Sequence, residues 1–177
     1  MKKQSIITFF MICSVFLLIQ AQITFASKPI EVTFGLGWDF MYYDVVDQKI
    51  LGRTVLEQWE MTGGEASLIG DVSGQIIDFT TKWVRLYNEP YYEGIPLTEI
   101  KFARASWEYT VDATINEQNG LIRLNVEYGV TYDEGATIKG TWRLVGIEGE
   151  LEGIHGCGKF SGAFPSLPQF TGLISTR

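Results

Sequence analysis

The sequence predicts an all-β fold, a single antiparallel barrel of about eight strands. Three observations point there. Several stretches alternate apolar and polar residues with period two, the mark of a strand with one buried face. No segment of useful length carries a helical period. And Gly140 to Gly162, GTWRLVGIEGELEGIHGCGKFSG, sets seven glycines in 23 residues among Trp142, Leu144, Val145, Leu151, Ile154 and Phe160. Glycine weakens a strand, so this density needs a structural reason. A strand, a tight turn and a returning strand, bent as small closed barrels bend at their corners, supplies one.

Taken in order, the first element is a strand from Ile30, with Ile30, Val32, Phe34, Leu36, Trp38 and Phe40 on one face and Glu31, Thr33, Gly35, Gly37 and Asp39 on the other. Tyr42 to Leu51 is mixed in pattern and predicts a connection. Thr54 to Met61 sets Val55, Glu57, Trp59 and Met61 against Leu56, Gln58 and Glu60, a strand closed by Gly63-Gly64. Ala66 to Gln75, with GDVSG at its centre, predicts a short bulged strand. Ile76 to Tyr87 is rich in β-branched and aromatic residues and predicts another. Asn88 to Pro96, with two prolines and a glycine, predicts a loop. Trp107 to Asn116 alternates cleanly, Trp107, Tyr109, Val111, Ala113 and Ile115 against Glu108, Thr110, Asp112, Thr114 and Asn116. Asn119-Gly120 is a favoured two-residue hairpin turn. Leu121 to Tyr128 returns, with Ile122, Leu124, Val126 and Tyr128 facing away from Arg123, Asn125 and Glu127. Asp133-Glu134-Gly135 predicts a second turn before the glycine-rich stretch. Phe164 to Pro168 breaks the pattern, and Phe170 to Ile174 predicts a last short strand or a tail.

The N-terminus predicts export. Lys2 and Lys3 precede an apolar run from Ile6 to Ile19, and Thr24-Phe25-Ala26 offers a small-residue cleavage site before Ser27. Residues 1–26 therefore read as a signal peptide and 27–177 as one domain, about 150 residues, long enough for a real core. The expected location is secreted or extracytoplasmic. Loss of the two lysines takes the formal charge from -7 to -9. A chain that acidic, without a basic cluster, excludes nucleic acid and, once the signal is removed, an anionic membrane surface as expected partners. Only Cys157 remains after cleavage, so no intramolecular disulfide is expected. Between Gly156 and Gly158 it reads as a small residue filling space in the corner.

The glycine-rich stretch resembles the C-terminal signature of the allene oxide cyclase-like barrel superfamily, which includes plant allene oxide cyclases, dirigent proteins and bacterial proteins of the DUF3224 type. Their shared corner, a run of glycines alternating with apolar residues before a final strand, is matched by Gly146-Ile147-Glu148-Gly149-Glu150-Leu151-Glu152-Gly153-Ile154-His155-Gly156. One departure is that the first glycine pair is separated by two residues and not one. GDVSG at 70–74 is similar to an earlier glycine-bearing strand of the bacterial members, and Gly37-Trp38 distantly resembles the lipocalin glycine–tryptophan motif. The resemblance implies an eight-stranded, calycin-like antiparallel barrel with an apolar cavity, and homo-oligomers. It carries over no catalytic residue.

Candidate chemistry is sparse. His155 and Cys157 share a side in an extended segment, but no ligand cluster joins them, so no metal or cofactor is expected. Glu108, Asp112 and Glu127 lie on the polar faces of the strands joined by the predicted turn, with Arg123 on the Glu127 face. Turned inward, they line a cavity and orient a polar ligand or act as general base. Turned outward, they are a solvated surface with cross-strand ion pairs, the usual arrangement in small barrels. Trp107 and Tyr109, on the opposite face of the same strand, complete the candidate ligand-binding set of Trp107, Glu108, Tyr109, Asp112, Arg123 and Glu127. Three functions fit: binding of a small apolar or amphipathic molecule in the barrel, a cyclase- or dirigent-like enzyme or guide acting in a cavity, and an interaction protein with a solid core.

Overall fold

The computed structural model describes residues 28–96, 99–132, 136–163 and 168–175. Eight strands follow one another: β1 (Ile30–Leu51), β2 (Thr54–Gly70), β3 (Val72–Tyr87), β4 (Ile100–Ile115), β5 (Gln118–Thr131), β6 (Thr137–Gly149), β7 (His155–Ala163) and β8 (Gln169–Ser175). Each pairs antiparallel with the next, and β8 closes on β1 from Ile30 opposite Ile174 to Gly35 opposite Gln169. The fold is thus a closed antiparallel barrel, with the period-two alternation of β4 and β5 sorting apolar side chains inward.

The interior is filled by the chain's own rings. Phe34 stacks on Phe170 at 4.5 Å, Phe170 meets Phe160 at 4.5 Å, Trp107 meets Tyr128 at 4.7 Å, and Phe79 stacks on Tyr109 at 4.9 Å. Such pairs add about 0.5–1.5 kcal/mol each beyond the area they bury. Trp142 is the largest fully buried side chain, and its indole N–H donates to the Thr171 carbonyl at 3.1 Å. It lies in a slot where a Cβ on Gly158 or Gly172 would come within 2.6 Å of the ring.

One end of the barrel is sealed. The corner after β6 folds back so that Gly146 N–H donates to the Ile154 carbonyl at 2.8 Å and Gly153 N–H to the Gly146 carbonyl at 3.2 Å. Leu151, fully buried, and Ile154 plug this end. A side chain at Gly146 would run into the Leu151 carbonyl oxygen, so the corner closes only over glycine.

Several boundaries differ from expectation. Tyr42 to Leu51 is the second half of β1, not a connection, and stays paired with β2 as far as Leu51 opposite Thr54. Register shifts at Trp38/Phe40 and Val45/Asp47 insert an extra residue in β1, and each flips its alternation, which hides the strand from a period-two reading; the shift at Tyr42/Tyr43 inserts its extra residue in β2. Gly63-Gly64 do not end β2; they pair with Tyr42 and Met41 inside it. Ala66 to Gln75 is not one strand. Asp71 turns the chain between β2 and β3, its N–H donating to the Thr33 carbonyl at 3.1 Å and its carboxylate accepting the Thr33 N–H at 2.7 Å. The β4–β5 turn is Asn116-Glu117, both at positive φ (50° and 67°), the signature of a type I′ hairpin. Asn119-Gly120 instead pair with Thr114 and Ala113 inside the ladder. Gly120 is spent on close packing, because a Cβ there would strike the Glu148 carbonyl of β6. Phe170 to Ile174 belong to β8, the strand that completes the ring. The signal peptide at 1–26, the turn at 133–135 and most of the break at 164–168 fall outside the described residues.

Candidate functional site at the barrel mouth

The end opposite the corner carries the polar chemistry. On β2, Val55 and Glu57 face inward; on β3, Thr81, Trp83, Arg85 and Tyr87 do. Room for the large β3 side chains comes from β4, where Ala105 lies opposite Trp83 and Ala103 opposite Arg85, both buried. Glu57 and Arg85 meet there, Arg85 Nη1 to Glu57 Oε2 at 2.7 Å, with side chains only 16% and 6% exposed for Arg85 and Glu57 respectively.

Two further donors converge on the Glu57 carboxylate. Oε2 also accepts the Trp59 indole N–H at 3.1 Å, and Oε1 accepts the Gln48 amide at 2.9 Å. The Arg85 guanidinium lies near the faces of two indoles, 5.5 Å from Trp59 and 5.1 Å from Trp83. Rings stabilise a cation held this way by about 0.5–2 kcal/mol. A planar guanidinium suits the position better than an ammonium, since it stacks and still presents donors at its edges.

A tyrosine rim surrounds the pair. Burial raises the Tyr87 hydroxyl above its ordinary pKa, and the charge of Arg85 and a hydrogen bond to it work against the shift. Burial likewise raises Tyr128 and Tyr132, again opposed by Arg85. Arg85 therefore acts on three phenols at once. Tyr91 packs on Tyr87 at 5.2 Å, and its N–H donates to the Gly52 carbonyl at 3.0 Å, tying the 88–99 loop to the β1–β2 turn. Ile95 of that loop is buried beside the mouth.

Below this layer, the Thr81 and Tyr109 hydroxyls are buried without a hydrogen-bond partner. Burial pushes the Tyr109 hydroxyl well above its ordinary pKa, with Tyr128 adding to the shift.

The six residues singled out in sequence divide between the two faces of the wall. Trp107 and Tyr109 point inward and belong to the aromatic core. Glu108, Asp112, Arg123 and Glu127 are exposed on the outside. Arg123 meets Glu108 at 3.7 Å and Arg104 meets Glu127 at 3.2 Å, all half-exposed or more, while Asp112 lies opposite Leu121. They form a solvated surface of cross-strand pairs and not a cavity lining. His155 and Cys157 are also exposed, on the outside of β7, so Cys157 fills no space in the corner.

The mouth residues carried a readable signal. Glu57 is the one charge on the apolar face of Val55, Trp59 and Met61, and Arg85 stands at spacing two from both Trp83 and Tyr87. A lone charge on each of two apolar faces is the pattern of a buried pair. Compared with known protein families, with curated proteins and with solved structures, the chain matches none.

Proposed function

We propose that this protein is an exported barrel that binds a small amphipathic molecule at its mouth. A hydrogen-bond-accepting group of the ligand meets the free edge of the Arg85 guanidinium, and its flat apolar part lies against Trp59 and Trp83. The observation that carries this reading is Arg85 itself. A carboxylate that also accepts from Trp59 and Gln48 holds it near the rings of two indoles, at the end of the barrel opposite the sealed corner, the barrel's middle being filled by its own rings. Binding sites pair apolar walls with a few fixed polar groups, which is the composition here. Export is proposed from residues 1–26, and kinship with the allene oxide cyclase-like barrels from the corner at 146–156.

The test uses anilinonaphthalene sulfonate, an aromatic anion that reports apolar sites by its own fluorescence. The wild-type chain is expected to bind it with quenching of tryptophan emission. The E57Q/R85M double variant leaves no unpaired charge and keeps the volume. It is expected to bind at least about tenfold more weakly, the loss of one good charge-assisted hydrogen bond. Equal binding by wild type and double variant, or no binding by the wild type, rejects the proposal.

A further inference from the structure

Among the described residues, the second half of β1 has one partner strand. Its pairing with β8 stops at Gly35 opposite Gln169, whereas its pairing with β2 continues to Leu51. Residues 42–51, YYDVVDQKIL, are all exposed, and the apolar ones are heavily so: Tyr42 64%, Val46 49%, Ile50 48% and Leu51 52%. Among the described residues, no strand hydrogen-bonds the outer edge of this stretch. A free edge is a row of unpaired N–H and C=O groups, and natural barrels and sheets usually shorten or cover it. Here it is long and apolar.

We propose that this edge pairs antiparallel with the same edge of a second copy of the chain, about a two-fold axis through Gln48. The register follows from symmetry and charge. A two-fold axis perpendicular to a sheet must pass through a residue position, because residues facing each other across it share a face. An axis at Asp47 sets two aspartates against each other, and an axis at Lys49 sets two lysines. An axis at Val46 leaves every charge without an opposite partner. An axis at Gln48 places Asp47 of each copy opposite Lys49 of the other, twice.

The fold supports that position. Asp47 to Leu51 pairs with Gln58 to Thr54 without a register shift, whereas the three shifts lie further back, at Trp38/Phe40, Tyr42/Tyr43 and Val45/Asp47. Shifts of this kind twist a strand out of plane, so they confine pairing to the tip. Gln48 is steadied by its hydrogen bond to Glu57. A short strand-to-strand contact of this kind gives main-chain hydrogen bonds plus the two Asp47–Lys49 charge pairs, so the dimer is a weak one, in the micromolar range. The inference does not depend on ligand binding at the mouth.

Sedimentation equilibrium on the wild-type chain, K49E, D47K and the double exchange D47K/K49D tests it. The wild type is expected to dimerise reversibly. Each single variant sets like charges opposite each other twice and is expected to weaken the dimer at least about tenfold, from two lost pairs and two repulsions. The double exchange restores opposite charges and is expected to return dimerisation to within a few-fold of the wild type. Both substituted positions, Asp47 and Lys49, are exposed, and circular dichroism checks that each variant is folded. A wild type that stays monomeric overturns the proposal. So does a double exchange that remains as weak as the single variants, which would mean the copies meet in another register or on another face.

Discussion

Replacing Glu57 by glutamine tests the mouth at its most sensitive point. Glutamine keeps the size of the side chain and its contact with Gln48, but it removes the charge opposite Arg85. The guanidinium, 16% exposed, is then left near two indoles without a counter-charge. Breaking a buried pair from one side costs about 3–5 kcal/mol. Two features reduce this: Arg85 keeps some water, and the rings of Trp59 and Trp83 go on stabilising a cation by about 0.5–2 kcal/mol. The expected loss is therefore about 2–4 kcal/mol. For a domain of this size, that lowers the melting temperature by roughly 4–16 °C. Adding R85M removes the stranded charge, and the E57Q/R85M pair is expected to recover at least half of the loss. Urea unfolding followed by tryptophan fluorescence measures both, since Trp59 and Trp83 contact the pair directly. An E57Q midpoint within about 0.5 kcal/mol of the wild type refutes the reasoning, because it would mean that the pair is solvated.

Further outcomes follow from other parts of the barrel. Glu117 holds a left-handed backbone at φ 67°, so E117G is expected to stabilise the chain by about 0.5–1 kcal/mol in thermal unfolding. The raised phenols of Tyr109 and Tyr128 give an alkaline limit: below pH about 10 both states are neutral there and stability is intact. Above it the unfolded chain loses protons that the folded chain keeps. Stability then falls by about 1.4 kcal/mol per pH unit for each such tyrosine. Y109F, which also removes a hydroxyl with no partner, is expected to make the fall shallower, as read from denaturation curves across alkaline pH. On the outer wall, E108A and R123A are each expected to change stability by less than about 0.5 kcal/mol, because their half-exposed pair at 3.7 Å is screened by water.

The sequence by itself determined the barrel. Alternation over Trp107 to Asn116 and Leu121 to Tyr128 is a local property, and it sorted Trp107 and Tyr109, and Ile122 and Val126, onto one face of their strands, the face that barrel closure turns inward. The glycines of 140–162 announced a corner, since only close packing or a sharp bend makes so many useful in a strand. Local pattern failed where an extra residue resets it, as in β1, and where two turn-forming pairs compete. Asn119-Gly120 has the better turn sequence, yet Asn116-Glu117 makes the turn, because Gly120 is needed against β6. That is a contact across the sheet, absent from any window of sequence.

The tertiary structure decided the candidate site. Glu57 and Arg85 are each a charge on an apolar face, a signal the strand reading passed over, and nothing local tells one strand which residue of the next it will oppose. Register and barrel closure set that, and they bring the two within 2.7 Å, with the guanidinium near the rings of Trp59 and Trp83. The same closure turns Glu108, Asp112, Arg123 and Glu127 to the outside, since a barrel has one inner face and the aromatic residues of those strands occupy it. Among the described residues, the pairing of β1 with β8 reaches only Gly35 and no strand pairs with the outer edge of the tip of β1. Side-chain period is a property of the chain, whereas strand length relative to a neighbour is a property of the assembled ring.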